Sequence, residues 1–370
     1  MHRKKILIIS MTAGSGHVMA AKSILDYALS NVNDAKIEHL DFSKLVSPLE
    51  RIISRRLYEF LSRKMPKLWG WYYEATNSKG FIFFISDKLV RLQFLSQKNI
   101  IKFLLKKAPD VIIFTNPVPA TLMAKKISEI SSKKIKIALV ITDYSVHRVY
   151  DIPYIDYYFV GCGEVKYDLV KMGVNNDKIF VSGIPINPRF YMSQDILKIK
   201  SKYKLNNKLR TILFIASTLP ESTVMSDIKI LMEFKENFNI IIITGGNKKL
   251  YDKIKKDFSG SNFLLINWTD VIDEYMKISD IIMSKPGGLV LSECMSINKK
   301  IFLVGFIPGV ERYNTEYMKK NKFAEIVLNE KELSGRLSEI ILSKNIAVVE
   351  NLIYKENPAK KILEQISADI

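Results

Sequence analysis

The sequence predicts an α/β chain of two domains, each a parallel sheet with helices on both faces, and three observations carry that prediction. Short apolar runs alternate with helix-length stretches through both halves of the chain. In each half one such run enters a glycine turn that opens a helix: Thr12-Ala-Gly-Ser-Gly-His17 in the first, Lys285-Pro-Gly-Gly288 in the second. Between the halves lies a proline-marked passage, Gly183-Ile-Pro-Ile-Asn-Pro-Arg189, which leads into a polar, lysine-rich stretch ending at Arg210. The expected domains are therefore 1–188 and 211–345, with a linker at 189–210 and a C-terminal helix at 346–370 free to pack back on the N-terminal domain.

The elements follow in order. Lys5 to Met11 is continuously apolar apart from its first residue and Ser10, as expected of a buried parallel strand, and it is too short to span a membrane. After the glycine turn comes an alanine-rich helical stretch, Val18 to Leu29. The spacing Gly14-x-Gly16 lacks the third glycine of a dinucleotide fingerprint, and His17 occupies a place that would otherwise be inert, so hydride transfer is not the natural reading. A strand at Lys36–Asp41 precedes a long basic helical insertion. Strands at Val111–Thr115, Ile135–Thr142, Tyr157–Val160 and Ile179–Val181 complete the first half. The second half restarts with Thr211–Ala216, Ile240–Thr244, Phe263–Ile266, Ile281–Ser284 and Ile301–Val304, each separated by helical stretches.

Ser284 to Glu293 suits a nucleotide diphosphate. Gly287 and Gly288 let the backbone approach phosphate oxygens, the N–H groups and dipole of the following helix favour negative charge, and Glu293 can accept hydrogen bonds from ribose hydroxyls. Plain loop chemistry is the alternative for such a turn taken alone.

Composition bounds the partners. With 370 residues, 48% of them hydrophobic, there is material for two sizeable cores. Cys162 and Cys294 stand far apart in unrelated contexts, so neither a disulfide framework nor a zinc site is indicated, and a reducing, cytoplasmic setting fits. No cleavable signal and no membrane-length apolar run is evident, which predicts a soluble or peripheral protein. The formal charge of +18 asks for an anionic partner. No nucleic-acid-binding motif is present, and a membrane surface is the better candidate. Between Arg51 and Lys107 thirteen Lys or Arg face three acids, interleaved with Trp69, Trp71, Tyr72, Tyr73, Phe81, Phe83 and Phe84. Basic residues attract anionic headgroups and Trp and Tyr suit the interface, which singles out Arg55, Arg56, Arg63, Lys64, Trp69 and Trp71 as membrane residues. A solvated basic face over buried aromatics is the other reading.

Taken together, Gly14-x-Gly16-His17, Thr142-Asp143-Tyr-Ser-Val-His147, Gly183-Ile-Pro-Ile-Asn-Pro-Arg189, and Lys285-Pro-Gly-Gly-Leu-Val-Leu-Ser-Glu293 followed by Ile307-Pro-Gly-Val-Glu311-x-x-Asn314 resemble the glycolipid synthases of glycosyltransferase family 28. These are the processive diacylglycerol glucosyltransferases and the monogalactosyldiacylglycerol synthases. The resemblance runs in order from about Ile6 to Glu325. It implies two facing Rossmann-like domains with parallel sheets, the GT-B glycosyltransferase architecture, with a lipid acceptor on the N-terminal half and a UDP-sugar on the C-terminal half. The implied reaction is inverting transfer of a hexose, glucose or galactose, to diacylglycerol or a glycosyl-diacylglycerol, without a cofactor or an essential metal. The implied place is cytoplasmic, peripheral on the inner face of the cell membrane. N-acetylglucosaminyl transfer to a polyprenyl-linked acceptor, and a lipid- and nucleotide-binding protein without turnover, are the other readings.

Residue by residue, the resemblance implies that His17 is the base or positions the acceptor hydroxyl, a task that suits an imidazole; capping a helix start is its alternative. Asp143, at the carboxyl end of a strand, orients a histidine or the acceptor in one reading and caps a turn in the other. Gly14, Gly16 and His147 fall on the acceptor side, with a simple surface histidine as the alternative for His147. On the donor side stand Ser217, Thr218, Lys285, Gly287, Gly288, Glu293, Glu311 and Asn314. The chain departs from the family pattern twice: Ser217-Thr-Leu-Pro220 replaces one or more glycines, and Val310 stands where relatives carry a glutamine that touches the sugar.

Overall fold

A computed structural model describes residues 3–12, 15–61, 65–77, 80, 88–90, 92, 94–260, 262–305, 309–343 and 346–368. The chain divides into two units, Met1–Pro188 with Ile307–Asn314 and Ile353–Ile370, and Arg189–Phe306 with Thr315–Leu352. Each unit holds one six-stranded, wholly parallel sheet.

In the first unit the strands are β1 (Lys4–Ser10), β2 (Ala35–Asp41), β3 (Val111–Phe114), β4 (Lys136–Val140), β5 (Tyr157–Val160) and β6 (Ile179–Val181), in the order β2-β1-β3-β4-β5-β6. Both faces of the central strands are covered, so Ile6 to Ile9 and the whole of β3 are buried, and the strands read as apolar runs rather than alternating ones. On one face the helix Gly16–Asn31 presents Ala20, Ala21, Ile24 and Ala28, and the small residues let it lie close to the sheet. The C-terminal helix Pro358–Ala368 adds Ala359, Ile362, Leu363 and Ile366 to the same core. Full burial of each such Ile or Leu contributes roughly 1.5–3 kcal/mol.

Gly183 explains how this return of the chain is received. It adopts φ +87°, and a Cβ there would lie 3.0 Å from Pro358 and 3.1 Å from Ile353, so only glycine fits. The Tyr354 hydroxyl accepts from Ile184 N at 3.0 Å and meets the Tyr144 hydroxyl at 2.6 Å. The Gly183–Pro188 motif thus serves to seat the C-terminal segment.

The basic insertion forms the helices Pro48–Glu59, Pro66–Thr76 and Gln97–Lys106 among the described residues. Ser47 and Glu50 make a capping box at the first, and Glu50 also accepts from Ser96 N and Oγ, which ties that helix start to the third helix. Leu49, Ile52, Ile53 and Leu57 point outward from the first helix, leaving an apolar stripe exposed beside Arg51 and Arg56.

In the second unit the strands are β7 (Arg210–Ile215), β8 (Phe238–Ile243), β9 (Phe263–Ile266), β10 (Ile281–Ser284), β11 (Lys300–Val304) and β12 (Glu325–Val327), in the order β12-β11-β10-β7-β8-β9. The core gathers Ile212, Phe214, Ile240, Ile242, Met283 and Phe302 under Val224, Ile228, Leu333 and Leu337 of the covering helices. Residues 189–210, expected as a linker, belong to this unit and contain the helix Ile196–Lys202. Side chains of the sheet and its helices satisfy their backbone: buried Asn239 bonds Asn206 N and O, and Lys277 donates to Arg189 O and Met192 O. The C-terminal helix begins at Pro358 rather than at 346. Among the described residues no helix is long and apolar enough to cross a membrane.

Strand order locates the place where each sheet can hold a ligand. In the first, the connections run one way from β1 to β2 and the other way from β3 onward, which opens a crevice between the carboxyl ends of β1 and β3. In the second the reversal lies between β7 and β10.

Candidate active site

His17 stands at the crevice of the first sheet, one residue into the helix that follows β1. Its Nδ1 lies 2.8 Å from Thr115 O, at the end of β3, and 2.8 Å from Thr142 Oγ1, at the end of β4. A carbonyl can only accept, so the network assigns the ring proton to Nδ1 and leaves the Nε2 lone pair for other use. Thr115 Oγ1 donates in return to His17 O at 2.9 Å. Burial lowers the pKa of His17 below its ordinary value, against the opposing pull of Asp143 and the Thr115 carbonyl. The ring is therefore neutral at pH 7, a state suited to accepting a proton.

Asp143 faces it. Asn314 Nδ2 donates to Asp143 Oδ1 at 3.2 Å, and the Tyr150 hydroxyl donates to Oδ2 at 3.4 Å. Burial raises the Asp143 pKa, His17 and these two hydrogen bonds oppose the rise, and Glu311 adds to it. An ionised Asp143 in this position favours an imidazolium on His17, and the imidazolium in turn favours the carboxylate.

The remaining acceptor-side residues divide. Gly16 opens the helix Gly16–Asn31, while Gly14 lies outside the described residues. His147 is buried, and both ring nitrogens are engaged: Nε2 donates to Tyr73 O at 2.9 Å, and Nδ1 accepts from Val149 N at 3.2 Å. It ties the Pro66–Thr76 helix to the loop that carries Asp143, its ring tilted at 46° and centred 4.4 Å from the Tyr73 ring, so it is not a surface histidine.

Glu311 and Asn314, read from the sequence as donor-side residues, group with the first unit. Their segment packs through Gly309, whose Cβ position lies 3.5 Å from both Trp69 and Tyr73, and through the Tyr313 hydroxyl, which bonds both oxygens of Glu74 at 2.7 and 2.8 Å. Both residues are buried. Trp69 is accordingly half-buried by packing, whereas Trp71 is 59% exposed. Arg56 is exposed; Arg63, Lys64 and the Arg55 side chain lie outside the described residues.

In the second unit the other predicted residues gather at the crevice between β7 and β10. Ser217 and Thr218 follow β7; Lys285, Gly287 and Gly288 follow β10. Gly287 has ordinary extended backbone, φ −77° and ψ 134°, and a Cβ there would meet only Val290 at 3.7 Å. The fold does not require this glycine. It starts the helix Gly288–Ser296 without a side-chain cap, so the first N–H groups of that helix have no intrahelical acceptor and no capping side chain. Glu293, one turn in, is buried, and burial followed by the neighbouring Asp273 pushes its pKa up to about 8. Thr218, just after β7, adopts φ +67°, a left-handed conformation unfavourable for a β-branched residue.

Thr115, Thr142, Tyr150 and Tyr73 take part in the site and were given no site role from the sequence, though Thr142 opens the Thr142–His147 motif and Tyr73 lies in the aromatic segment. Thr115 and Thr142 carried a usable signal, since each ends a strand next to the β1 crevice.

Known proteins resemble the chain in agreement with this geometry. Residues 17–186 match the monogalactosyldiacylglycerol (MGDG) synthase family, and residues 216–366 match the glycosyltransferase family 28 C-terminal domain. The processive diacylglycerol beta-glucosyltransferase of Staphylococcus aureus (strain Newman) is 28% identical over 335 residues, covering 87% of this chain and 81% of that protein. Among solved structures, S. aureus MnaA with UDP has a TM-score of 0.61 at 14% identity, covering 98% of this chain and 96% of that one. Acinetobacter baumannii MurG has a TM-score of 0.60 at 9% identity, covering 99% of each chain. These structural likenesses speak for the fold, the two-sheet GT-B architecture.

Proposed function

We propose that the chain, whose two parts match the MGDG synthase family and the glycosyltransferase family 28 C-terminal domain, is a UDP-sugar-dependent hexosyltransferase of glycolipid assembly that moves glucose or galactose from a UDP-sugar to diacylglycerol or a glycosyl-diacylglycerol, with inversion. The observation that carries this reading is His17, neutral, with its Nδ1 proton committed to Thr115 and Asp143 beside it. Nε2 takes the proton of the acceptor hydroxyl as its oxygen bonds the anomeric carbon. The bond from that carbon to the diphosphate breaks on the opposite side, and UDP leaves with the electron pair. The helix start at Gly287 and Gly288, with Lys285, receives the developing negative charge, and Glu293 accepts from the ribose hydroxyls. No cofactor takes part in this scheme.

The reaction is placed on an anionic membrane surface, at the inner face of the cell membrane. Support comes from the outward stripe Leu49, Ile52, Ile53 and Leu57 with Arg51 and Arg56, an arrangement that suits a helix lying in a headgroup layer. Trp71, on the next helix Pro66–Thr76, is also exposed.

Purified protein incubated with anionic vesicles containing diacylglycerol and a panel of radiolabelled UDP-sugars tests the reading. Labelled lipid from one sugar, absent with His17→Ala, is the expected outcome. UDP binding and vesicle binding without product would move the acceptor to a polyprenyl-linked lipid, or leave a binding protein.

A further inference from the structure

Asn314 lies 171 residues from Asp143 in the chain and is fully buried beside it, a placement that the donor-side role read from the sequence does not explain. Its amide has only one possible orientation. Tyr144 N can only donate, and it reaches Asn314 Oδ1 at 2.9 Å, so Nδ2 is the end that faces Asp143 Oδ1 at 3.2 Å. The single carboxamide thus bonds two consecutive residues of the loop after β4, the main chain of one and the carboxylate of the other. Its own segment is held in turn by Tyr313 on Glu74 and Gly309 on Trp69 and Tyr73.

We propose that Asn314 is a positioning residue for proton transfer: it holds the Asp143 carboxylate in place beside His17, and it does not bind the nucleotide sugar. The proposal rests on the role given to His17 above. Among side chains that are uncharged at every pH only glutamine also pairs an amide acceptor with an amide donor, and it is one methylene too long for a fully buried place. The groups that face Asp143 are His17 from the helix after β1, Tyr150 from the turn at 148–150, Tyr73 from the Pro66–Thr76 helix, and Glu311 and Asn314 from the helix Val310–Lys320. Of these only Tyr150 and Asn314 hydrogen-bond the carboxylate among the described pairs, and the Tyr150 bond is the longer. Loss of the amide donor disfavours the charged form of Asp143, and His17 then holds a proton less readily.

The test combines a substrate-free measurement with kinetics. In the full-length protein labelled with ¹⁵N-histidine, Asn314→Ala is expected to move the His17 titration midpoint down by about half a pH unit, a shift followed by NMR. Calorimetric affinity for UDP is expected to stay the same, and kcat to fall about tenfold, the loss of one hydrogen bond to a charged group. Asn314→Asp fills the same space and keeps the Tyr144 contact, which guards against a simple folding defect. There a protonated Asp at 314 can still donate to Asp143, so activity relative to wild type is expected to be higher at pH 6 than at pH 8. An unmoved His17 midpoint together with weakened UDP binding would overturn the proposal and return Asn314 to the donor. If the midpoint moves but the wild-type protein transfers no sugar to lipid, the proposed reaction fails and the positioning role stands.

Discussion

At the carboxyl end of the first sheet the groups offered to a ligand are side chains held by other groups of the fold: His17 by Thr115 and Thr142, Asp143 by Tyr150 and Asn314. At the carboxyl end of the second sheet they are main-chain N–H groups at the start of the helix Gly288–Ser296, behind a glycine that the fold does not need. In the proposed reaction the two ends do different chemistry. A proton acceptor must have a tuned affinity and one orientation, which only a packed network supplies, whereas a diphosphate needs close approach and a field, which bare backbone supplies best.

The largest effect that would break this contrast is expected at His17. His17→Ala should lower kcat by on the order of a thousandfold with little change in the KM for the UDP-sugar. In the wild type the acid limb of kcat/KM should fall below the ordinary histidine range, because burial lowers the His17 pKa. A rise in KM alone would place His17 among binding groups.

Two glycines of the second unit sharpen the contrast next. Gly245 has φ +63°, and a Cβ there would lie 2.3 Å from Ser217 Cβ, so Gly245→Ala should destabilise the unit by on the order of 3 kcal/mol in denaturant titration. Gly287→Val, on extended backbone with open space, should leave the melting temperature unchanged and weaken UDP binding by about tenfold in calorimetry. Reversed outcomes would exchange the two roles.

Asp227 gives a pH signature to the second unit. Its pKa is pushed up to about 7 by burial and by Glu330, and its Oδ2 has no hydrogen-bond partner among the described residues. Between the ordinary aspartate value and about 7 the folded chain keeps a proton that the unfolded chain has lost, so stability falls as pH rises through that window. Asp227→Asn should remove that part of the slope and stabilise by on the order of 2 kcal/mol at pH 8, with no gain at pH 4. Equal gains at both pH values would show that the charge is not the cause. The smallest effect is expected at Thr218, where Thr218→Gly should stabilise by about 1 kcal/mol through relief of the left-handed conformation. A loss of stability would mean that its side-chain packing outweighs the strain.

Eleven of the twelve strands among the described residues were legible, ten of them as largely apolar runs, because a strand covered on both faces must be apolar almost throughout, and the edge strand β2 by its alternation of apolar and polar residues. The exception, β12, is three residues long, lies at the edge of its sheet and opens with Glu325, which pairs with Lys300 of its neighbour. So short a charged start has no period to read. The turn residues were legible for a similar reason: a glycine loop between strand and helix is a local pattern, and it marked His17, Gly287 and Gly288. Asn314 and His147 were not. Each was assigned by its neighbours in sequence, and each is engaged by residues far along the chain, Asp143 for one and Tyr73 for the other.

By itself the sequence determined two runs of strand, turn and helix, the glycine turns at their switch points, and the histidine that follows the first. These depend on side-chain period and backbone freedom within a few residues. Tertiary structure alone decided which nitrogen of His17 is free, that Asn314 serves Asp143, and that the motif at Gly183 receives the chain's last helix. Those outcomes depend on hydrogen bonds and packing between segments 98 to 171 residues apart, which no local pattern encodes.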